Sequence, residues 1–450
     1  MAKNFDIIVA GAGTSGVAAA ISAARLGYRV LLIERYGFAG GTATAGLVHH
    51  WDPIKQIEAS GIVTELYNRL KESGHIIDYD KTNVAMPFAY WEGGCGFDPE
   101  AFKMLLLTML EEAGVTCLFH TLVTGVIVKD DMIDAVEIQN KSGHETISCS
   151  IAVDCTGDGD IFAAAGCDFS IGDESGSCMS PTLAFRIGGV DTEQIYRYFE
   201  ENPEQFGNHP RIGKYIQNAR ESVILQGFYS LIAQAQKAGD LTLAMPESGL
   251  GMTVQPRYGE FHVNATRTPN VNPIDGQSLS DVEITERHHV QEVFAFMQKY
   301  LPGCKGAFIM QTADQVGIRE SRRLCGRYIL TANDINEGTH FSDSIVRSKW
   351  AHFDKHDGKS MQWSFSFIEG PYYIPYRSLL PKEISNLLVA GRCISATHEA
   401  MSSIRIIPLG ALMGQAAGIA AALCVKHNCN AADLSAFTLQ KELVLHNVIL

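Results

Sequence analysis

The chain has 450 residues, of which 46% are hydrophobic and 19% charged, a globular composition long enough for two or three domains. A formal net charge of −14 argues against nucleic acid as a partner, because phosphates demand a basic footprint. Eleven cysteines with no Cys-x-x-Cys pair, behind a start at Met1-Ala2-Lys3-Asn4 that runs straight into structure, predict reduced thiols and a cytoplasmic location. The longest apolar stretch, about Ala416 to Val425, reads as too short to span a bilayer.

Phe5 to Ala10 reads as a buried strand, followed by Gly11-Ala12-Gly13-Thr14-Ser15-Gly16 and a helix from Thr14 to about Leu26. Gly11 permits a tight turn, Gly13 lets backbone approach a pyrophosphate, and Gly16 lets the helix sit close to the strand. The helix aims free N–H groups, those of Thr14 and Ser15 first, and its positive dipole end at phosphate. Tyr28 to Ile33 supplies a second strand, and Glu34 at its end can accept both hydroxyls of an adenosine ribose. A carboxylate there repels a 2′-phosphate, so the unit is expected to take a dinucleotide other than NADP.

Arg35 to Gly46 is rich in small residues, with Gly40-Gly41-Thr42 at its centre, and reads as a loop on which a flat cofactor can lie. His49-His50-Trp51 follows, and its spacing leaves three roles open: covalent flavin attachment, lining of a substrate pocket, or packing. Asp98 reads as the N-cap of an amphipathic helix reaching Glu112, with Pro99 at its first position. Val115 to Phe119 is predicted as a strand, and Leu122 to Val128 and Ala135 to Gln139 as an antiparallel pair turning at Lys129-Asp130-Asp131. Ile147 to Val153 is a further strand, ending in Asp154-Cys155-Thr156-Gly157-Asp158-Gly159-Asp160, a second glycine turn.

From about Ile171 to Ile374 the βαβ rhythm stops. Strands, polar helices and loops alternate, and His262 in Phe261-His262-Val263-Asn264 reads as a strand residue facing a cleft. Asn386 to Arg392 restores a buried strand with a tight turn, and Pro408 to Val425 reads as a closely packing helix. The scattered histidines lack a ligand pattern, so no metal is assigned. Neither a Gly-x-Ser-x-Gly elbow nor a Walker loop is present, which removes hydrolase and NTPase readings.

Five blocks together resemble the FAD-dependent oxidoreductase family of the glutathione-reductase-like superfamily, distantly similar to fumarate reductase flavoproteins. They are Gly11-x-Gly13-x-x-Gly16 with Glu34, the Gly40-Gly41-Thr42 loop, Asp154 to Asp160, Arg319-Glu320-Ser321-Arg322-Arg323, and Gly391 to Gly418. The resemblance implies an α/β fold: a split Rossmann-like FAD-binding domain with three β/β/α layers, and an inserted α+β substrate domain. The expected limits are 1–170 and 375–450 for the split domain and 171–374 for the insert. It implies FAD as cofactor, with Val123 on the strand that contacts adenine and Thr156, Gly157 and Asp158 in the turn passing the cofactor. Gly391, Arg392 and Gly410 are expected at the C-terminal side of the cofactor, Arg392 addressing the pyrophosphate where relatives carry an acid for the ribityl chain.

For catalysis, His398 is the first acid–base candidate, its ordinary pKa lying near neutrality. Arg405 and the start of the last long helix would stabilise negative charge on the flavin. Arg377 is read either as a bidentate carboxylate holder or as an interdomain salt bridge, and Arg319 and Arg322 carry the same two readings. The expected activity is hydride transfer between a carbon of a small-molecule substrate and flavin N5, with an electron acceptor of unspecified type. The absence of a second dinucleotide motif and of Cys-x-x-Cys separates the chain from two-nucleotide disulfide reductases. Alternatives are a reductase of unsaturated acids, an FAD-dependent RNA-modifying enzyme, and a flavin-binding subunit without turnover. Oligomeric state is left open.

Overall fold

The computed structural model describes residues 5–51, 60–79, 94–206, 224–246, 249–349, 352–356, 358–360, 363–367 and 370–450. Its central sheet begins with Phe5–Ala10, whose apolar run lies between two parallel neighbours, Val30–Ile33 and the C-terminal half of Gly143–Asp154. Thr116–Leu118 extends the sheet beyond Val30–Ile33, and Leu387–Val389 extends it beyond Gly143–Asp154, both in parallel. Ile7 to Ala10, Val30–Ile33 and Leu387–Val389 are buried, near-continuous apolar runs, as the middle of a parallel sheet requires, whereas the edge strand Thr116–Leu118 is partly exposed.

Gly143–Asp154 is twelve residues long and serves two sheets. Its first half pairs antiparallel with Met132–Asn140, which turns back onto Leu122–Lys129. This three-stranded meander forms one outer layer, and helices form the other. Asn386 ties strand and meander together, its amide oxygen accepting from Ile133 N (2.7 Å) and its Nδ2 donating to Ile133 O and Ser150 O (2.8 and 2.9 Å).

The helical layer is built on Thr14–Arg25 and Ile407–His427. The second starts earlier and ends later than its apolar core suggests, and every residue from Pro408 to Cys424 is buried. By length and composition it could cross a membrane, but 94% of its most apolar window is buried inside the protein. Gly414 and Gly418 explain the fit. A Cβ there would lie 2.0 Å from Ser15 O and 2.1 Å from Ala19 O, so the two helices meet at backbone contact.

A second core is built around a five-stranded antiparallel sheet, ordered Ile224–Gly227, Leu250–Val254, Phe261–Val263, Phe185–Gly188, Phe308–Thr312. The helix Gly276–Tyr300 supplies Val282, Val290, Val293, Phe296 and Met297 to this core. The cores divide differently from the expected 171–374 insert. The second takes in Leu183 to Val316, plus Leu47 from the N-terminal part. Leu324, Leu330, Ile345, Val346, Tyr372 and Ile374 instead pack with the parallel-sheet core. Composition could not separate them, since that stretch also lacks a βαβ rhythm.

Candidate functional site

The three glycines of the first turn sit in different surroundings. Gly11 has φ +89°, and a Cβ on it would fall 2.5 Å from Cys155 O; a Cβ on Gly16 would fall 1.8 Å from Gly11 O. Those two are glycine because the protein itself leaves no room. A Cβ on Gly13 meets nothing within 4 Å, so its bare face is open for something other than the protein to approach. Gly13 is also the N-cap of Thr14–Arg25 and offers no side-chain cap, and no acid occupies the first turn. The helix thus presents uncapped N–H groups and its positive end beside an open backbone.

The Gly40 loop closes on this turn. Gly40 N donates to Ala12 O (2.7 Å), and a Cβ on Gly41 would lie 2.8 Å from Gly13 Cα. The loop holds a short 3-10 turn, Gly41–Ala43, that leaves Thr42 exposed. Glu34 is buried behind the loop and accepts from Ala12 N (2.7 Å) and Tyr36 N (2.9 Å). Burial pushes its carboxyl upward against those two amides. Thr121 N reaches Glu34 O (2.9 Å), which sets half-buried Val123 two residues beyond. Arg35 Nη2 donates to Gln315 Oε1 (2.6 Å), and Tyr36 bonds the same oxygen. Gln315 was not legible in the sequence, as an isolated glutamine carries no signal.

The C-terminal segment converges on the same turn. A Cβ on Gly391 (φ +90°) would sit 2.6 Å from Ser15 Oγ, and one on Gly410 would sit 3.1 Å from it. Gly410 lies in the first turns of Ile407–His427, which likewise lacks a side-chain cap and an acid in its first turn. Arg405 closes the preceding helix, His398–Ile404, at the break between the two. Two uncapped helix N-termini therefore meet around Gly13, Ser15 and Gly391, a donor set suited to an anionic group such as a phosphate.

The second glycine turn is chiefly a docking element. Asp154 is fully buried and accepts from Thr156 N and Oγ1 (3.1 and 2.7 Å) and from Ile161 N and Phe162 N (2.9 and 3.1 Å). Burial pushes it up to about 6. The turn then receives the Arg319–Arg323 block. Ser321 Oγ donates to Gly157 O (3.0 Å), and Arg322 Nη1 donates to Asp158 O and Asp160 Oδ1 (3.0 and 3.1 Å). Arg392 is engaged here too, Nη2 with Asp158 Oδ1 and Nη1 with Ser321 Oγ, both at 2.7 Å. Burial alone would raise Asp158, but the Arg392 guanidinium holds it below the usual range. Arg392, expected at the pyrophosphate, and Asp158, expected to contact the cofactor, thus hold each other.

His398 begins its helix behind the Thr397 N-cap, which accepts from Ala400 N (3.2 Å). Its Nδ1 bonds the carboxylate of Glu320 (2.8 Å), and Glu320 is fully buried, paired with Arg323 and accepting from Met179 N (3.2 Å). Burial and then the Arg323 guanidinium push His398 down to about 4, so the imidazole is neutral near pH 7, donates from Nδ1 and presents Nε2. The sequence held one clue to Glu320: an acid flanked by three arginines within five residues is seldom solvated. Arg377 lies apart from this pair and holds Asp343, Nε to Oδ2 at 2.9 Å and Nη2 to Oδ1 at 3.1 Å. Arg319 donates to Ser180 O and Thr182 Oγ1.

Among solved structures, a geranylgeranyl bacteriochlorophyll reductase-like protein from Thermoplasma acidophilum is similar at 14% identity and TM-score 0.52, over 98% of this chain and 83% of that one. A p-nitrophenol 4-monooxygenase from Pseudomonas putida is similar at 9% identity and TM-score 0.49, over 98% and 84%. The first likeness shows a common fold. No curated protein sequence matches the chain. The family model for FAD dependent oxidoreductase matches residues 6–443, taking in both halves of the parallel sheet, both glycine turns and the insert, and the chain belongs to that family of FAD-using enzymes.

Proposed function

We propose that the enzyme moves a hydride between a carbon of a small-molecule substrate and flavin N5, with His398 as proton partner. The observation that carries this reading is the Glu320–His398 pair. When bound, FAD supplies the two-electron redox chemistry. The protein does the rest. Thr14, Ser15 and the Gly13 backbone would receive the diphosphate, Glu34 would hold the adenosine ribose, and the Gly40–Thr42 loop would contact the cofactor. Arg405 and the first amides of Ile407–His427 hold positive potential at the C-terminal turn, where negative charge is stabilised. Glu320 fixes the His398 tautomer by accepting from Nδ1, which leaves Nε2 to take or return the substrate proton.

The alternative reading, a reductase of unsaturated acids, needs arginines free to clamp a carboxylate. Arg377 holds Asp343, and Arg319 and Arg322 hold oxygens of the protein, which favours the general reading. The test is anaerobic bleaching of the flavin-loaded protein with a panel of alcohols, unsaturated acids and other reductants. His398→Ala should retain flavin and slow substrate-driven bleaching by about a hundredfold or more. Bleaching at the full rate would end the assignment of His398.

A further inference from the structure

Cys424 and Cys429 stand at the C-terminal end of Ile407–His427, the end remote from the cofactor cradle. Asn428, just past the last turn, has φ +49°, the left-handed conformation that closes a helix. Its N–H donates to Val425 O (3.3 Å), and Cys429 N donates to Cys424 O (3.1 Å). These two bonds make a Schellman motif, which turns the side chain after the left-handed residue back onto the last turn of the helix. The two side chains brought together are those of Cys424 and Cys429, and their thiols hydrogen-bond each other. The spacing, with four residues between, matches no Cys-x-x-Cys pattern, so the pair is a product of the helix ending.

Both cysteines are anchored. Cys424 is 1% exposed and packs in the parallel-sheet core. Beyond Cys429 the chain is pinned at Ala431, whose N–H donates to Ser385 O (2.9 Å) and whose carbonyl accepts from the buried Tyr376 hydroxyl (2.9 Å). With the backbones already bonded, side-chain torsions alone separate two thiols in contact from a disulfide of about 2.0 Å. The partners differ in access. Cys429 is half-buried and within reach of a small solute. Burial, and then Cys429 beside it, push the Cys424 thiol up, which keeps it protonated and shielded.

We infer that Cys424 and Cys429 form a reversible dithiol–disulfide couple, closed by a low-molecular-weight disulfide such as glutathione disulfide. The Cys429 thiolate attacks one sulfur of that disulfide, forming a mixed disulfide and expelling one glutathione. Cys424 Sγ then attacks Cys429 Sγ, and the protein S–S bond forms as the second glutathione leaves. Each departing glutathione carries away the proton of the cysteine that displaced it. Two protein thiols are oxidised and one glutathione disulfide is reduced to two thiols, so excess glutathione reverses the step. The closed ring clips the end of the helix to the segment that Tyr376 and Ser385 hold. The couple does not depend on the proposed hydride transfer.

Trypsin cuts after Arg405, Lys426 and Lys441, so one cut falls between the two cysteines and a disulfide leaves two peptides joined. The test equilibrates folded, flavin-loaded protein with glutathione disulfide, quenches in acid, alkylates the remaining thiols, digests and reads the masses. The expected product is 406–426 joined to 427–441, lost again when the protein is returned to reduced glutathione. Cys424→Ser should trap Cys429 as its glutathione adduct, and Cys429→Ser should leave Cys424 unmodified. The masses from the unaltered chain decide the matter should either variant fail to fold. The inference is overturned if both cysteines stay open to alkylation in glutathione disulfide. It is equally overturned if Cys429 of the unaltered chain stops at the glutathione adduct, or if the joined peptides form only after unfolding in urea.

Discussion

Acidification should unfold this protein through its buried histidines before its carboxylates matter. His49 and His262 are both buried and held neutral, the former at about 3. In the unfolded chain each titrates near 6.5, so between pH 6.5 and the folded value the unfolded state binds one more proton per histidine. Their contribution is fully present above pH 6.5 and is lost as pH falls, at about 1.4 kcal/mol per pH unit for each. At pH 5 the two together remove about 4 kcal/mol. Asp154 works in the opposite direction. With its folded value raised to about 6, it takes up a proton before the unfolded chain does and returns about 1.4 kcal/mol by pH 5. The histidines win: His50 and His398, both also held at about 4, add to the loss, so the net cost by pH 5 exceeds about 3 kcal/mol, a large part of the stability of an ordinary domain. Urea unfolding of the flavin-loaded protein at pH 7.5, 6 and 5, followed by circular dichroism, measures it. A stability that is flat within about 1 kcal/mol over that range would refute the burial of these imidazoles as neutral groups.

Four further outcomes follow from named contacts. Gly418→Val should cost about 3 kcal/mol or more, because its Cβ would fall against Ala19 O at 2.1 Å; thermal unfolding checks this. Gly13→Ala meets nothing within 4 Å, so it should leave the stability of the flavin-free protein within about 1 kcal/mol while weakening FAD retention about tenfold or more in a fluorescence titration. Glu34→Arg should likewise lose FAD by removing the ribose acceptor and disturbing Ala12 N and Tyr36 N, and unchanged retention would sink that assignment. Arg377→Gln should cost no more than about 1 kcal/mol, since its pair with Asp343 is half exposed, and substrate KM should not move.

Much of the first βαβ unit was legible because its constraints are local. The order of apolar strand, glycine turn, helix and second apolar strand forces one βαβ unit. Asp98 as N-cap with Pro99 behind it marks the helix Pro99–Glu112, where Asp98 accepts from Glu100 N (2.9 Å). Long-range pairings were less legible. Nothing near Arg392 indicates that Asp158, far away in sequence, will take its guanidinium, nor that Gln315 from the second core will hold Arg35. Glu320 was visible as part of a motif, but its role depends on folding seventy-eight residues of chain so that it meets His398. The lower limit of the second core at Leu183 and its upper limit at Val316 were illegible for the same reason. Leu324 to Ile374 carry no local mark of the sheet they pack against.

Converging helix N-termini and an open Gly13 are expected to hold FAD in a working oxidoreductase. The visible absorption spectrum of the purified protein, before and after acid precipitation, tests it most directly. The expected result is a flavin band that leaves with the supernatant and has the mass of FAD. A colourless protein that cannot be reconstituted with FAD would contradict it.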